Sequence, residues 1–185
     1  MKRDSKLRIA GLLIGSGIIY FIIAIFMSEA LYPRYSISAN YISDLGVGPS
    51  AWLFNSSIVL LGAMLMLGAY LYAKGTRTKI LSVLIAVTGA AAIGVGVFNE
   101  HFGAIHGIVS AIVFIFAGLS ALYFAATEKS LIRYPSFVLG LADLSAMALF
   151  LSGVYVGLGP GGMERMIVYP ALLWGVLFSG MLLAK

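Results

Sequence analysis

The chain has no cysteine, two histidines and only 10% charged residues among 185, and glutamine is absent as well. Without cysteine there are no disulfides, no thiolate nucleophile, no iron–sulfur cluster and no cysteine-ligated zinc. The shortage of charge excludes more. A water-soluble domain carries about 25% charged and about 45–50% apolar residues, and so few charges cannot cover a surface that faces water. A soluble enzyme, a disordered chain and a nucleic-acid-binding module are ruled out on this ground, although the formal net charge is +5. What the chain has instead is apolar: 61% of its residues, with a mean hydropathy of +1.03.

Six stretches approach the ~20 apolar residues a membrane-crossing helix needs. They run over about residues 7–28, 51–73, 80–98, 104–127, 135–156 and 166–183. This predicts an all-α polytopic membrane protein, a six-transmembrane-helix bundle in a single domain, multi-pass in the cell membrane. The apolar run from Ile9 to Met27 exceeds the ~7–15 residues of a signal peptide, so it reads as a retained first span. The two halves of the chain align by hydropathy alone, which gives no support for an internal repeat.

The basic residues set the expected orientation. Lys2, Arg3, Lys6, Arg8, Lys74, Arg77, Lys79, Lys129, Arg133 and Lys185 fall on one side of the six crossings, and only Arg34 and Arg165 on the other. Short loops rich in Lys and Arg stay on the cytoplasmic side, so both termini are expected there. The net positive charge then reflects topology and contact with anionic headgroups. Membrane lipids are the expected partners, with no nucleic acid and no cofactor.

Polar groups at the other side carry the information, because they are costly near a bilayer. Glu29, Arg34, Asn40, Ser43, Asp44, Asn55, Asn99, Glu100, His101, His106, Glu164 and Arg165 all belong there. Residues 29–50 form a long loop rich in tyrosine and isoleucine, expected to fold down as a lid. Within it, Ser43 and Asp44 suit a turn or helix cap, and Gly46 suits a positive φ. Asn99, Gly103, His106 and Ser110 follow the spacing of one helical face, which places His106 about one turn below the outer end of the fourth span. An imidazole beside Asp44 or Glu100 could act as a general base with its orienting carboxylate, or serve as a buried structural group. Two histidines without cysteine leave a metal set short of ligands, so no metal is expected. Asp143 lies ~12 Å into the bundle from the inner side, on one face with Ser136 and Gly140. It reads either as a protonated structural carboxyl or as a proton or cation relay.

Several patterns carry no chemistry. Gly157, Gly159 and Gly162 fit the dinucleotide fingerprint by letters, but no strand precedes them, so they read as a turn. Gly11 with Gly15, Gly103 with Gly107, and Gly153 with Gly157 have the spacing that lets helices approach closely, here expected inside the bundle.

The segment Asn40-Tyr41-Ile42-Ser43-Asp44-Leu45-Gly46, followed by Gly96-Val97-Phe98-Asn99-Glu100 with His106 six residues on, resembles the DUF998 group over nearly the whole chain. That resemblance implies a small six-span membrane protein of archaea or bacteria, of unassigned function. The group is distantly similar to the Frag1, DRAM and Sfk1 proteins of lipid and membrane homeostasis. Many members carry Pro-Glu-Asp-like residues where this chain has Asn99-Glu100-His101, which leaves Glu100 and His106 as the residues carried over. A likeness to membrane hydrolases of the alkaline ceramidase kind fails, because their zinc site needs three histidines.

The residues together predict an outward-facing polar pocket walled by Asn40, Ser43, Asp44, Asn55, Asn99, Glu100 and His106, holding an amphiphile or a lipid headgroup. Two alternatives stay open. One is an interfacial lipid hydrolase or transferase using His106 with Asp44 or Glu100. The other is a proton- or ion-coupled transporter or channel using Asp143, which would then bind the transported ion.

Overall fold

The computed structural model describes residues 3–76 and 79–185. Lys2 and Arg77, two of the basic residues counted above, lie outside the described residues. Six long helices follow one another: α1 (Arg3–Leu31), α2 (Ala51–Gly75), α3 (Ile80–Val97), α4 (Ala104–Thr127), α5 (Arg133–Leu151) and α6 (Gly159–Leu183). Two single turns of 3₁₀ helix, Ser43–Gly46 and Glu100–Phe102, sit in the connections, and no strand occurs among the described residues. All six helices are long and apolar enough to cross a membrane.

Each helix packs against its neighbours in sequence, and α6 returns to α1. The result is a closed ring of antiparallel helices. Close approach depends on small residues. A Cβ on Gly62 of α2 would strike the Gly89 carbonyl of α3, and one on Gly11 of α1 would stand 2.9 Å from the Ser179 carbonyl of α6. Ser179 uses that proximity to donate its hydroxyl to the Gly11 carbonyl at 2.9 Å. Such side chain to backbone bonds, with close packing, replace the hydrophobic drive that lipid cannot supply between helices. Arg3 Nε donates to the Gly75 carbonyl at 2.7 Å. Together these contacts gather both ends of the chain at one end of the ring, with the long 32–50 connection, the 98–103 connection and the 152–158 connection at the other.

Three expectations need correction. α5 ends at Leu151, not 156, and α6 begins at Gly159, seven residues before the expected 166. Gly153, Gly157 and Gly159 take φ of 71°, 82° and 75°, values that stop one helix and set the start of the next. Pro160 then fits the first turn of α6, where its missing N–H costs nothing. Glu164 and Arg165 are therefore helical and not in a loop. Gly46 is not in the left-handed region; its need for glycine is space, since a Cβ would meet Asn55 Oδ1 at 2.7 Å. Of the three paired-glycine spacings, only Gly11 with Gly15 sits against a neighbouring helix, while Gly103, Gly107, Gly153 and Gly157 have open space around them.

Candidate functional site

The connection from α1 to α2 folds down over the ring as a lid, and its apolar foot belongs to the core. Ile42 and Leu45 are 3% and 0% exposed and join the main apolar cluster. One guanidinium holds the rest. Arg165, in the second turn of α6, is buried. Its Nη2 donates to Glu29 Oε1 and to the Tyr35 hydroxyl, both at 2.6 Å. Its Nη1 donates to the carbonyls of Ile37, Asn40 and Gly161 at 3.0, 3.1 and 2.9 Å. The Tyr35 hydroxyl in turn donates to the Tyr41 carbonyl at 2.8 Å. Burial pushes the Tyr35 hydroxyl well above its ordinary pKa, so it stays a neutral donor. Gly161 lets this happen, because a Cβ there would overlap the Asn40 carbonyl.

The neighbouring Glu164 faces the lid as well. Its carboxylate accepts the backbone N–H of Ile42. Ser43 stands between two carboxylates: its hydroxyl donates to Glu100 Oε1 at 2.6 Å, and Glu164 Oε1 is 3.3 Å away. Burial raises the Glu100 pKa above the ordinary carboxylate value; the Ser43 bond and His106 work against the rise, and the charge on Asp44 adds to it.

His106 occupies the first turn of α4. Its Nδ1 lies 2.8 Å from the Phe98 carbonyl. A carbonyl only accepts, so Nδ1 carries the proton. Nε2 lies 3.4 Å from the Ser110 hydroxyl. The ring is thus oriented by a backbone carbonyl and by neither Asp44 nor Glu100.

These groups line a cleft of about 300 Å³ with Tyr41, Phe114, Met147, Phe150 and Ile167. A second cavity, of about 110 Å³, lies inside the ring. Ile42 and Ser43 reach it from the lid, and its walls are mostly aliphatic and aromatic side chains of α1 to α4 and α6. Thr88 and Ser120 also line it, but their hydroxyls donate to carbonyls of their own helices, Leu84 and Phe116. Trp174 lines it too, stacked on Phe178 at 5.3 Å, with an indole N–H that has no partner. The cleft and this chamber share Ser43, Ser110, Phe114 and Glu164. A carboxylate-bearing cleft therefore adjoins an apolar interior.

The sequence matches a family model, described as a protein of unknown function (DUF998), over residues 13–181. The chain belongs to the DUF998 family. No curated protein and no solved structure matches it. The matched range takes in part or all of every one of the six helices, so this DUF998 protein is a multi-pass membrane protein over its whole fold.

Of the residues expected at one site in this DUF998 protein, the structure brings Ser43, Glu100 and His106 together. Asn40, Asp44, Asn55 and Asn99 also make bonds elsewhere. Asp44 Oδ2 accepts from Asn40 Nδ2 at 2.8 Å and from the Tyr41 N–H at 3.0 Å, while Asn40 Oδ1 accepts from the Ser36 N–H at 3.0 Å. Both residues shape the lid from within. Asn55 Nδ2 donates to the Gly46 carbonyl at 2.9 Å and ties the lid to α2. Asn99 is not on the α4 face. Gly103, at φ 51°, breaks the helix before it, and the Asn99 side chain caps the Glu100–Phe102 turn by accepting the His101 N–H. Asp143 is fully buried in α5, with both carboxyl oxygens unpartnered, and lines neither cavity. Glu164 and Ser110, absent from the expected pocket, line the cleft, and Trp174 lines the chamber. Adjacent opposite charges at Glu164 and Arg165, flanked by apolar residues, were the available signal for the first of them.

Proposed function

We propose that this protein binds an amphiphile, with the polar head in the cleft at Ser43, Glu100, His106 and Glu164 and the apolar tail in the chamber. The observation that carries this reading is that the two cavities adjoin, with Ser43, Ser110, Phe114 and Glu164 in the lining of both. A chamber with aliphatic walls and internally satisfied hydroxyls does not favour water; an alkyl chain suits it. The lid roofs the junction. In this reading the basic ends of the helices face the cytoplasm of the cell membrane, following the charge bias, and the cleft opens at the outer leaflet.

Native mass spectrometry of protein released from its membrane tests the proposal. The expected spectrum contains an amphiphile adduct that Ala117→Leu, which fills the chamber, removes. A folded wild-type protein without any adduct, or an adduct untouched by Ala117→Leu, would contradict it.

A second reading has one observation in its favour: His106 Nε2 lies 3.4 Å from the Ser110 hydroxyl in the lining of the cleft. This is the start of an acyl-transfer or hydrolytic centre on a bound lipid. It requires His106→Ala to abolish lipid turnover while folding is retained; equal turnover in that variant would remove His106 from any mechanism.

A further inference from the structure

The chemistry of the cleft specifies the head of the amphiphile, an inference that rests on the binding reading above. Two carboxylates, Glu100 and Glu164, line the cleft, and no lysine or arginine among the described residues does. Arg165 is adjacent in sequence, but both of its terminal nitrogens are engaged by Glu29, Tyr35 and backbone carbonyls. The carboxylates are also short of donors. Ser43 has one hydroxyl proton for two acceptors, with Glu100 Oε1 at 2.6 Å and Glu164 Oε1 at 3.3 Å. An anionic head here would meet two carboxyl groups and no balancing cation, which is costly. Aromatic rings complete the lining. Tyr41 and Phe150 meet edge to face at 5.8 Å, and Phe114 stands beside them in the same cleft. Carboxylates among aromatic faces are the surroundings that stabilise an ammonium ion. Independently, the buried Trp174, 5% exposed, lines the chamber beside the cleft, and its indole N–H has no partner among the described residues. An ester or hydroxyl oxygen on the ligand's chain would satisfy it.

We infer that the cleft selects amphiphiles whose head is a protonated amine or quaternary ammonium over those with an anionic head. The source of the ammonium amphiphile is either a membrane lipid or a free long-chain amine.

The test uses the full chain in neutral maltoside micelles, with Trp52→Phe leaving Trp174 as the only tryptophan. Three probes are titrated: a hexadecyl trimethylammonium and a hexadecyl sulfate, both brominated near the chain end, and tetramethylammonium as a competitor. The ammonium probe is expected to quench Trp174 saturably, at about tenfold lower concentration than the sulfate. Glu100→Gln keeps the Ser43 bond and is expected to shrink that preference; Glu164→Gln, which keeps an acceptor for Ile42, shrinks it further. Equal or better binding of the sulfate overturns the headgroup inference and leaves amphiphile binding standing. Absence of saturable quenching by either brominated probe overturns both. Tetramethylammonium is expected to displace the tailed probe only at far higher concentration. Displacement at equal concentration would make the ligand a small cation without a tail, against the inference. Recovery of an ammonium lipid from the purified protein assigns the source to the membrane, and binding only of added long-chain amine assigns it to a free amphiphile; either supports the inference.

Discussion

Replacing Arg165 with methionine removes the anchor of the lid while keeping its approximate bulk. The side chains of Arg165 and Glu29 are 6% and 13% exposed, so the loss leaves a nearly buried carboxylate without its partner. Removing one member of a buried ion pair costs about 3–5 kcal/mol. The carbonyls of Ile37 and Asn40 lose their shared donor at the same time, which places the expected cost at the upper part of that range. Glu29 belongs to the last turn of α1, whereas Tyr35, Ile37 and Asn40 belong to the lid, so the cost divides between the α1–α6 contact and lid opening. A share of about 3 kcal/mol on the lid raises its open fraction roughly a hundredfold, at about 1.4 kcal/mol per factor of ten. Hydrogen exchange followed by mass spectrometry reads this directly. The amides of Asn40, bonded to Ser36, and Ile42, bonded to Glu164, exchange faster by that factor, while amides in the middle of α2 and α3 keep their wild-type rates. Glu29→Gln retains an acceptor and is expected to cost only about 1–2 kcal/mol. Unchanged lid exchange in Arg165→Met, or equal acceleration throughout the ring, would refute the assignment of Arg165 as a lid anchor.

Gly161→Ala drives a Cβ onto the Asn40 carbonyl, and overpacking of this kind costs about 1–3 kcal/mol; it is expected to lower the unfolding midpoint and to loosen the lid without replacing any polar group. Asp143→Asn is expected to be neutral or stabilising in thermal unfolding, because neither carboxyl oxygen has a partner and the residue is fully buried; a large loss of stability would show that the carboxyl holds something. The Glu100 pKa is raised from 4.5, so between that value and the raised one the folded state holds the proton and the unfolded state does not. Stability therefore falls as pH rises through this window. Glu100→Gln should flatten that part of the profile measured by denaturant unfolding, and an unchanged slope would count against burial of this carboxyl.

The six helices were legible because apolar runs of this length have one stable solution in a bilayer, in which the helix satisfies its own backbone. Their ends were less legible. Hydropathy falls at Gly157 to Arg165, yet α6 begins at Gly159, because backbone pairing tolerates charges that packing can bury. Arg165 finds its acceptors 125 to 136 residues away in sequence, in the lid and at Glu29, and no local pattern announces such partners. Ser43, Glu100 and His106 were legible as polar groups at the end of the ring away from the termini. Asn99 was not, since the spacing argument assumed a helix that Gly103 interrupts. Asp44 and Asn40 look like pocket groups by composition, but short polar side chains in a loop bond to their own backbone first. The chamber was invisible, because its walls are the same residue types as a filled core.

Fluorescence quenching of Trp174 tests the central claim, that a lidded chamber inside the ring holds an alkyl tail. Trp52 is 70% exposed and Trp174 is 5% exposed, so in the Trp52→Phe protein only the buried ring reports. A maltoside with a brominated chain carries the quencher under a neutral head, which separates the tail from any choice of headgroup. The account predicts saturable quenching of Trp174 that Ala117→Leu abolishes while fold and lid exchange are kept. Quenching that is no stronger in the open chamber than in the filled one would contradict it.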